Sequence, residues 1–241
     1  MKFAELFKGQ KPLIGMIHTN HTNECSVLEL AKKEIKIYIK YGIYPLIENY
    51  FGSAKDCEDV LVWMRKEHRD AIYGVNILGN YSEAFRLAKK YGASFIQIDS
   101  VCGHLMPEDD DEFAENLSRW RKDSNVVLLG GVRFKYQPIL SGRSLEEDLQ
   151  LGAERCDAIV CTGGGTGQPT PFDKVREFKS VLKGFPVIVG AGVTIDTVEE
   201  TFRMADGAIV GSWFKERHCD CYNVNEEYVR SMNRDKINII Y

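Results

Sequence analysis

Short runs of β-branched and aliphatic residues alternate along this chain with longer segments whose apolar residues recur at helical spacing. The short runs predict strands, because apolar stretches of this length bounded by turn residues are typical of strands buried on both faces. We predict eight strands: residues 13–18, 43–49, 71–78, 94–99, 126–135 and 158–162, a seventh that opens the stretch 185–194, and an eighth that opens 206–212.

A helical pattern follows each predicted strand. Leu28, Ala31, Ile35 and Ile39 share one helical face behind Ser26, which is a favourable N-cap residue. The other helices are predicted at residues 54–68, 82–91, 108–120, 144–153, 172–182, 194–204 and 225–232, with a short additional one at 3–7.

This strict alternation predicts an α/β fold, a single (β/α)8 TIM barrel. The length of 241 residues suits one such barrel, which typically needs about 250. We expect residues 1–241 to form one domain, with residues 1–11 as an N-terminal cap segment over the bottom of the barrel. A doubly wound open sheet is the competing architecture, but no GxGxxG motif follows the first strand and the glycine-rich turns come late.

Polar residues end strands that are otherwise apolar, and in a barrel the C-terminal strand ends form the mouth where chemistry occurs. Glu48 and Asp99 are the candidate general base and acid, and His18 and Lys135 are expected to stabilise charge on a substrate oxygen. A core histidine, a structural ion pair of Glu48 with a nearby cation, and a Schiff-base lysine are the alternatives. The residues expected to bind the rest of a substrate are Asn49, Asn76, Gln97, Arg133 and Thr162. Tying down loops is the alternative role for Asn49 and Asn76.

The alternation of side-chain directions along the strands supports a polar mouth for the barrel. Gln97 and Asp99 fall on one face of the fourth strand, and Arg133 and Lys135 on one face of the fifth. If the apolar faces meet the helices, both polar pairs point into the barrel.

Glycine-rich turns follow the sixth, seventh and eighth strands. Bare backbone before a helix lets an anion approach amide donors, and two such turns after the last two strands are typical of a TIM-barrel phosphate pocket. A tight strand-to-helix turn is the alternative for residues 163–167, although it would need fewer glycines. The expected phosphate-binding residues are Gly163, Thr166, Gly167, Gly190, Gly192, Val193, Gly211 and Ser212.

Composition and charge indicate which classes of binding partner to expect. The net charge of −4 indicates neither nucleic acid nor an anionic membrane, and no apolar run approaches the ~18 residues of a membrane span. The start of the chain does not read as a signal peptide, because Lys2, Glu5 and Lys8 interrupt it. We therefore expect a cytoplasmic protein that takes a phosphorylated small molecule and is able to form a homo-oligomer.

Seven cysteines are scattered through the chain and are odd in number, which favours reduced thiols. The cluster at residues 218–221 (His-Cys-Asp-Cys) lacks the second pair of ligands that a zinc site needs, so no metal site is predicted there. A redox sensor formed by these cysteines is a further hypothesis for function, although no motif supports it. No cofactor is predicted with certainty, and a divalent cation between Glu48 and Asp99 stays open.

The chain carries a series of motifs in a fixed order: residues 14–18, Glu48 with Asn49, 74–78 with Asn80, 95–96, Lys135, 162–163, 166–167, 190–193 and 206–212. Together they resemble the BtpA family, known by name for a photosystem I biogenesis protein. The resemblance spans nearly the whole chain and implies a barrel of the ribulose-phosphate-binding group. The chain differs from the family pattern in three places: residues 19–23 replace a proline-rich segment, Gln97 stands where arginine is expected, and Gly131 stands where aspartate is usual.

Two hypotheses for function follow. The first is an enzyme that acts on a phosphorylated sugar or phosphoribosyl compound by acid–base chemistry at the mouth, as an isomerase, epimerase, lyase or glycosidase. The second is a noncatalytic assembly or biogenesis factor that uses the outer helices of the barrel as a scaffold.

Overall fold

Eight parallel strands close into a barrel in the computed structural model, which describes residues 2–22, 25–122 and 124–232. The strands neighbour one another in chain order, and the first also pairs with the last, which completes the ring. The single (β/α)8 TIM barrel that the sequence predicts is confirmed. The strands are β1 (Leu13–Ile17), β2 (Tyr44–Glu48), β3 (Gly74–Asn76), β4 (Phe95–Cys102), β5 (Val127–Val132), β6 (Ala158–Cys161), β7 (Val187–Val189) and β8 (Gly207–Val210).

Helices surround the strands, and side chains fix where several of them begin. The hydroxyl of Ser26 accepts a hydrogen bond from the N–H of Glu29, and Ser53 and Ser144 each form a reciprocal capping box with the acidic residue three positions later. In the described part of the chain the helices are α1 (Phe3–Leu6), α2 (Val27–Lys40), α3 (Ala54–Glu67), α4 (Tyr81–Tyr91), α5 (Pro107–Lys122), α6 (Leu145–Arg155), α7 (Phe172–Leu182), α8 (Val198–Met204) and α9 (Glu226–Ser231).

Two apolar layers hold this arrangement together. One lies between the strands and the outer helices, and the other fills the barrel interior with side chains such as Leu46, Leu129 and Ile188. Helix α1 closes the N-terminal end, where the ring of Phe7 lies 5.1 Å from that of Tyr44 and 5.9 Å from that of Phe95. The opposite end is left to polar side chains.

The fifth strand is shorter than the sequence pattern indicates. It ends at Val132, and Arg133 has a left-handed backbone with a φ of 47°. The expectation that Arg133 and Lys135 share a strand face is therefore wrong, because the chain leaves the sheet before either residue.

The fourth strand is longer than predicted and irregular. It runs on to Cys102, and its register against β5 shifts between Ile98 and Cys102. Such a bulge re-aims the side chains next to it, and Asp99 lies inside it.

Candidate functional site

One cavity of about 380 Å³ occupies the C-terminal end of the barrel, where the strand ends meet. Both late glycine turns line it, after β7 and after β8, on the side opposite the polar ends of β2 and β4. The predicted site residues that line this cavity are His18, Glu48, Gln97, Asp99, Lys135, Thr166, Gly167, Gly190, Gly192, Val193, Gly211 and Ser212.

Two carboxyl groups in the cavity share one amide. The Nδ2 of Asn76 donates hydrogen bonds to Glu48 Oε1 at 2.8 Å and to Asp99 Oδ1 at 3.2 Å, and the Nε2 of Gln97 lies 3.4 Å from the same Asp99 oxygen. Asn76 is fully buried behind the carboxyl groups. It therefore positions Glu48 and Asp99 rather than lining the mouth itself.

Burial shifts the protonation of both carboxyl groups. Loss of solvent, together with the nearby charge of Asp99, raises the pKa of Glu48 to about 8, against a smaller lowering by Lys135. Burial also raises the pKa of Asp99. Glu48 thus keeps its proton at neutral pH and is able to act as an acid.

His18 is the neutral neighbour of Glu48. Burial, and then the charge of Lys215, lowers the pKa of His18 to about 3. Its Nε2 lies 3.8 Å from Glu48 Oε2, within ion-pair range, yet burial leaves both groups uncharged at neutral pH. The Nδ1 of His18 lies 3.4 Å from the carbonyl oxygen of Asp220, so donation to that oxygen leaves Nε2 as a proton acceptor facing the cavity.

The loop after β6 lies over the cavity and is tied to the loop after β5. The Nζ of Lys135 donates to Thr166 Oγ1 at 3.1 Å, and the Thr166 N–H donates to the hydroxyl of Tyr136 at 2.7 Å. A Cβ added to Gly167 would come within 3.5 Å of Ser212 Oγ, so the loop reaches the turn after β8. The loop after β6 and the turn after β8 therefore border the same cavity.

Some of the glycines serve packing. A side chain on Gly192 would overlap the backbone of Gln168 and Pro169, and one on Gly163 would meet the carbonyl of Pro169. The Gly190 N–H already donates to the carbonyl of Cys161 at 2.8 Å. Close backbone approach thus explains Gly163, which does not line the cavity, and part of the role of Gly192.

Three residues expected to bind substrate make other contacts. Asn49 Oδ1 accepts from the N–H of Leu78, and Thr162 Oγ1 accepts from the N–H of Lys135. Arg133 donates through Nε to the buried Asp148 at 2.9 Å, outside the cavity. Asn49, Thr162 and Arg133 therefore brace the loops around the mouth.

Aromatic residues that sequence reasoning missed form the outer rim. Tyr50, Tyr136, Trp213 and His218 line the cavity, and the Trp213 and His218 rings stack 3.9 Å apart with an interplanar angle of 2°. Tyr50 directly follows the predicted Glu48–Asn49 pair, and Trp213 directly follows Ser212. An aromatic residue immediately after a polar strand end is therefore the sequence feature that predicts this rim.

A buried ion pair holds the segment after β8 against the barrel. Lys215 and Glu34 of α2 are both buried, and Lys215 Nζ lies 3.2 Å from each carboxylate oxygen of Glu34. Glu34 Oε1 also accepts from the N–H of Val224 at 2.7 Å. The pair thereby fixes the segment that supplies the Asp220 carbonyl to His18.

Within the described ranges, one group of three metal-ligating side chains has all its ligand atoms within 4.8 Å of one another: Cys219, Asp220 and Cys221. At the mouth, Glu48 and Asp99 are the residues whose oxygens could hold a cation. None of the helices in the described residues combines the length and the apolar character needed to cross a bilayer.

Known proteins share this fold and parts of this sequence. An uncharacterized protein of Thermococcus kodakarensis is 29% identical over 231 residues, covering 86% of this chain and 87% of its own. The tryptophan synthase alpha chain of Legionella pneumophila superimposes with a TM-score of 0.67 at 15% identity, over 99% of this chain and 98% of that one. The 3-hexulose-6-phosphate synthase of Salmonella typhimurium gives a TM-score of 0.63 at 14% identity, over 95% and 97%.

The sequence profile of the BtpA family matches residues 9–236, which include every strand of the barrel and every residue of the cavity described above. This chain belongs to the BtpA family.

Proposed function

We propose that the chain is an enzyme that binds a phosphorylated sugar or a phosphoribosyl compound and moves protons on it at the mouth of the barrel. The observation that carries the proposal is one cavity in which the glycine turns after β7 and β8 lie opposite a buried group of titratable side chains. Enzymes place anion-binding backbone beside proton-transferring groups so that binding energy positions the reacting atoms.

The phosphate would lie at the two late turns. Gly192 and Val193 follow β7, Gly211 and Ser212 follow β8, and all four line the cavity. The glycines leave bare backbone there, which lets an anion approach amide donors. Lys135 supplies a positive charge in the same cavity. Thr166, held between Lys135 and Tyr136, would close over the bound group.

Proton transfer would use Glu48, His18 and Asp99. Glu48, with a pKa of about 8, donates a proton at neutral pH. The Nε2 of His18 and the carboxylate of Asp99 are the acceptors on either side of it. Positioned groups of this kind typically contribute 10²–10⁴-fold to a rate, and Lys135 would stabilise negative charge that develops on a substrate oxygen.

Gln97 supports a hydroxylated substrate. Its Oε1 is buried and, among the described residues, has no hydrogen-bond partner. A buried acceptor left in this state costs about 1–3 kcal/mol. A sugar hydroxyl in the cavity would donate to it and remove that cost.

The aromatic rim favours the phosphoribosyl alternative within this substrate class. Tyr50 and Trp213 offer flat apolar faces at the open side of the cavity, where a ring attached to a ribose would lie. A simple sugar phosphate would leave those faces uncovered.

Thermal unfolding with ribose 5-phosphate, ribose and inorganic phosphate tests the binding step. A ligand at 100 times its Kd stabilises by about 2.7 kcal/mol, so ribose 5-phosphate should raise the Tm and ribose should not. A Gly211→Ala variant should fold normally, since its Cβ would lie 3.6–3.7 Å from Met16 and His18, and should lose the shift by filling the cavity. Equal shifts with ribose and ribose 5-phosphate would contradict the proposal.

A further inference from the structure

We propose that Cys219 and Cys221 are a redox-modification site, at which an intramolecular disulfide closes around Asp220 and changes the contact of that residue with His18. The Sγ atoms of the two cysteines lie 2.7 Å apart. A disulfide bond is about 2.05 Å long, so only a small movement separates the thiols from bonding distance. Cys221 is exposed and Cys219 half-buried, which gives a small oxidant access.

The backbone around the thiols holds them together. Arg217 and His218 both have left-handed backbones, with φ values of 55° and 52°. A conformation of this kind costs a non-glycine residue of the order of 1–3 kcal/mol and persists only where other contacts enforce it. Here the stack of His218 on Trp213 and the pairing of Lys215 with Val224 provide those contacts.

Asp220 connects this pair to the mouth of the barrel. It is the one residue between the two cysteines, and its carbonyl oxygen is the atom that faces His18 Nδ1 at 3.4 Å. The next carbonyl, that of Cys221, accepts from Asn20 Nδ2 at 2.9 Å. Closing a disulfide places the peptide unit of Asp220 inside a small ring, which reorients its carbonyl and removes the acceptor from His18.

The oxidation needs an electron acceptor, and a low-molecular-weight disulfide such as oxidised glutathione supplies it. The thiolate of Cys221 attacks one sulfur of that disulfide and displaces the first thiolate. The thiolate of Cys219 then attacks the sulfur of Cys221 and displaces the second. The protein loses two electrons and two protons, and the small disulfide becomes two thiols.

A disulfide explains the geometry better than a metal. A structural zinc site uses four protein ligands, whereas this group offers two sulfurs and the carboxylate of the intervening Asp220. A thiol–thiol contact of 2.7 Å also leaves no space for an ion between the sulfurs.

Mass spectrometry of the whole protein, treated with oxidised glutathione and digested with trypsin after alkylation, tests the bond. Cleavage after Arg217 and Arg230 gives residues 218–230, a peptide that contains both cysteines and no other. In the oxidised protein we expect this peptide to carry no alkyl group and to be lighter by two hydrogen atoms than its unalkylated dithiol form. A stable glutathione adduct, or full alkylation after treatment, would overturn the proposal, as would stoichiometric zinc bound through the two thiols.

The link to His18 has its own measurement. In protein labelled with ¹⁵N-histidine, oxidation should shift the ring signals of His18 while leaving those of His68 and His104 in place. Cys219→Ser and Cys221→Ser should each abolish the shift, and Cys25→Ser, which removes another half-buried thiol, should not. A disulfide that leaves the His18 signals unchanged would refute the link. Neither readout depends on a phosphorylated ligand, so the result stands apart from the proposed function.

Discussion

The carbonyl oxygen of Asp99 occupies the space that a Cβ on Gly131 would need. The two residues lie where β4 changes register against β5, and this irregularity brings the backbone of Asp99 onto the neighbouring strand. Gly131 permits this approach because it has no side chain. Gly131, where the resemblance to the family leads us to expect aspartate, is therefore required by the backbone path of this chain beside its candidate site.

Gly131→Ala should destabilise the protein and displace Asp99. The added methyl group meets backbone atoms, which cannot rotate away, so we expect a loss of about 1–3 kcal/mol in the free energy of unfolding. Urea unfolding measures it, with Gly211→Ala as the control, because the Cβ there makes ordinary contacts. Equal stability of the Gly131→Ala and native proteins would contradict the prediction. It would show that β4 and β5 move apart at Asp99 without loss of free energy.

The sequence predicts the barrel and most of its mouth because both depend on local rules. Alternating apolar runs give the strands and helices, and the residue that ends a parallel strand must lie at the mouth. Arg133 defeats this reasoning, since a left-handed residue after Val132 turns its side chain towards Asp148. The acceptor of His18 is also invisible to spacing, because Asp220 lies 202 positions away.

Glu48→Gln should change how stability depends on pH. The raised pKa of Glu48 means that between pH 4.5 and about 8 the folded protein holds a proton that the unfolded chain has lost. Stability from this residue is therefore full below pH 4.5 and is lost as the pH rises through 8, with a slope of at most about 1.4 kcal/mol per pH unit. Glutamine keeps an acceptor for Asn76 and cannot ionise, so the variant should be more stable than the native protein at pH 8. Parallel pH profiles of the two proteins would contradict this.

His18→Asn should change how stability depends on pH in the acid range. There the native contribution of His18 rises with pH, whereas that of Glu48 falls with pH. Because burial lowers the pKa of His18 to about 3, the unfolded chain binds a proton that the folded protein lacks between pH 3 and 6.5. Native stability from this residue therefore rises with pH across that window. Asparagine keeps a donor for the Asp220 carbonyl but cannot become charged, so its stability profile between pH 3 and 6.5 should be flatter. Chemical unfolding at a series of pH values measures the difference.

Lys215→Met should be strongly destabilising. It leaves the carboxylate of Glu34 buried without its cation, and breaking a buried pair in this way costs about 3–5 kcal/mol. The exposed pair of Lys40 and Glu226 is the matched control, since Lys40→Met should cost less than about 1 kcal/mol. Similar losses in the two variants would mean that the Lys215 pair is solvated.

Lys135→Met distinguishes the hypothesis of an enzyme from that of a noncatalytic scaffold. If Lys135 faces a bound phosphate, its removal takes away a hydrogen bond to a charged group, worth about 1.5–3 kcal/mol, so the Kd for ribose 5-phosphate should rise by roughly tenfold or more. Lys33→Met removes the same charge from the exposed face of α2 and should leave the Kd unchanged. Isothermal titration of both variants decides the matter. A scaffold that works through its outer helices predicts no effect of Lys135→Met, because Lys135 lines the cavity and contacts the Thr166 loop rather than the helical surface. An unchanged Kd in Lys135→Met would therefore contradict phosphate binding by Lys135 at the mouth of the barrel. It would favour the scaffold hypothesis, in which the outer helices carry the function.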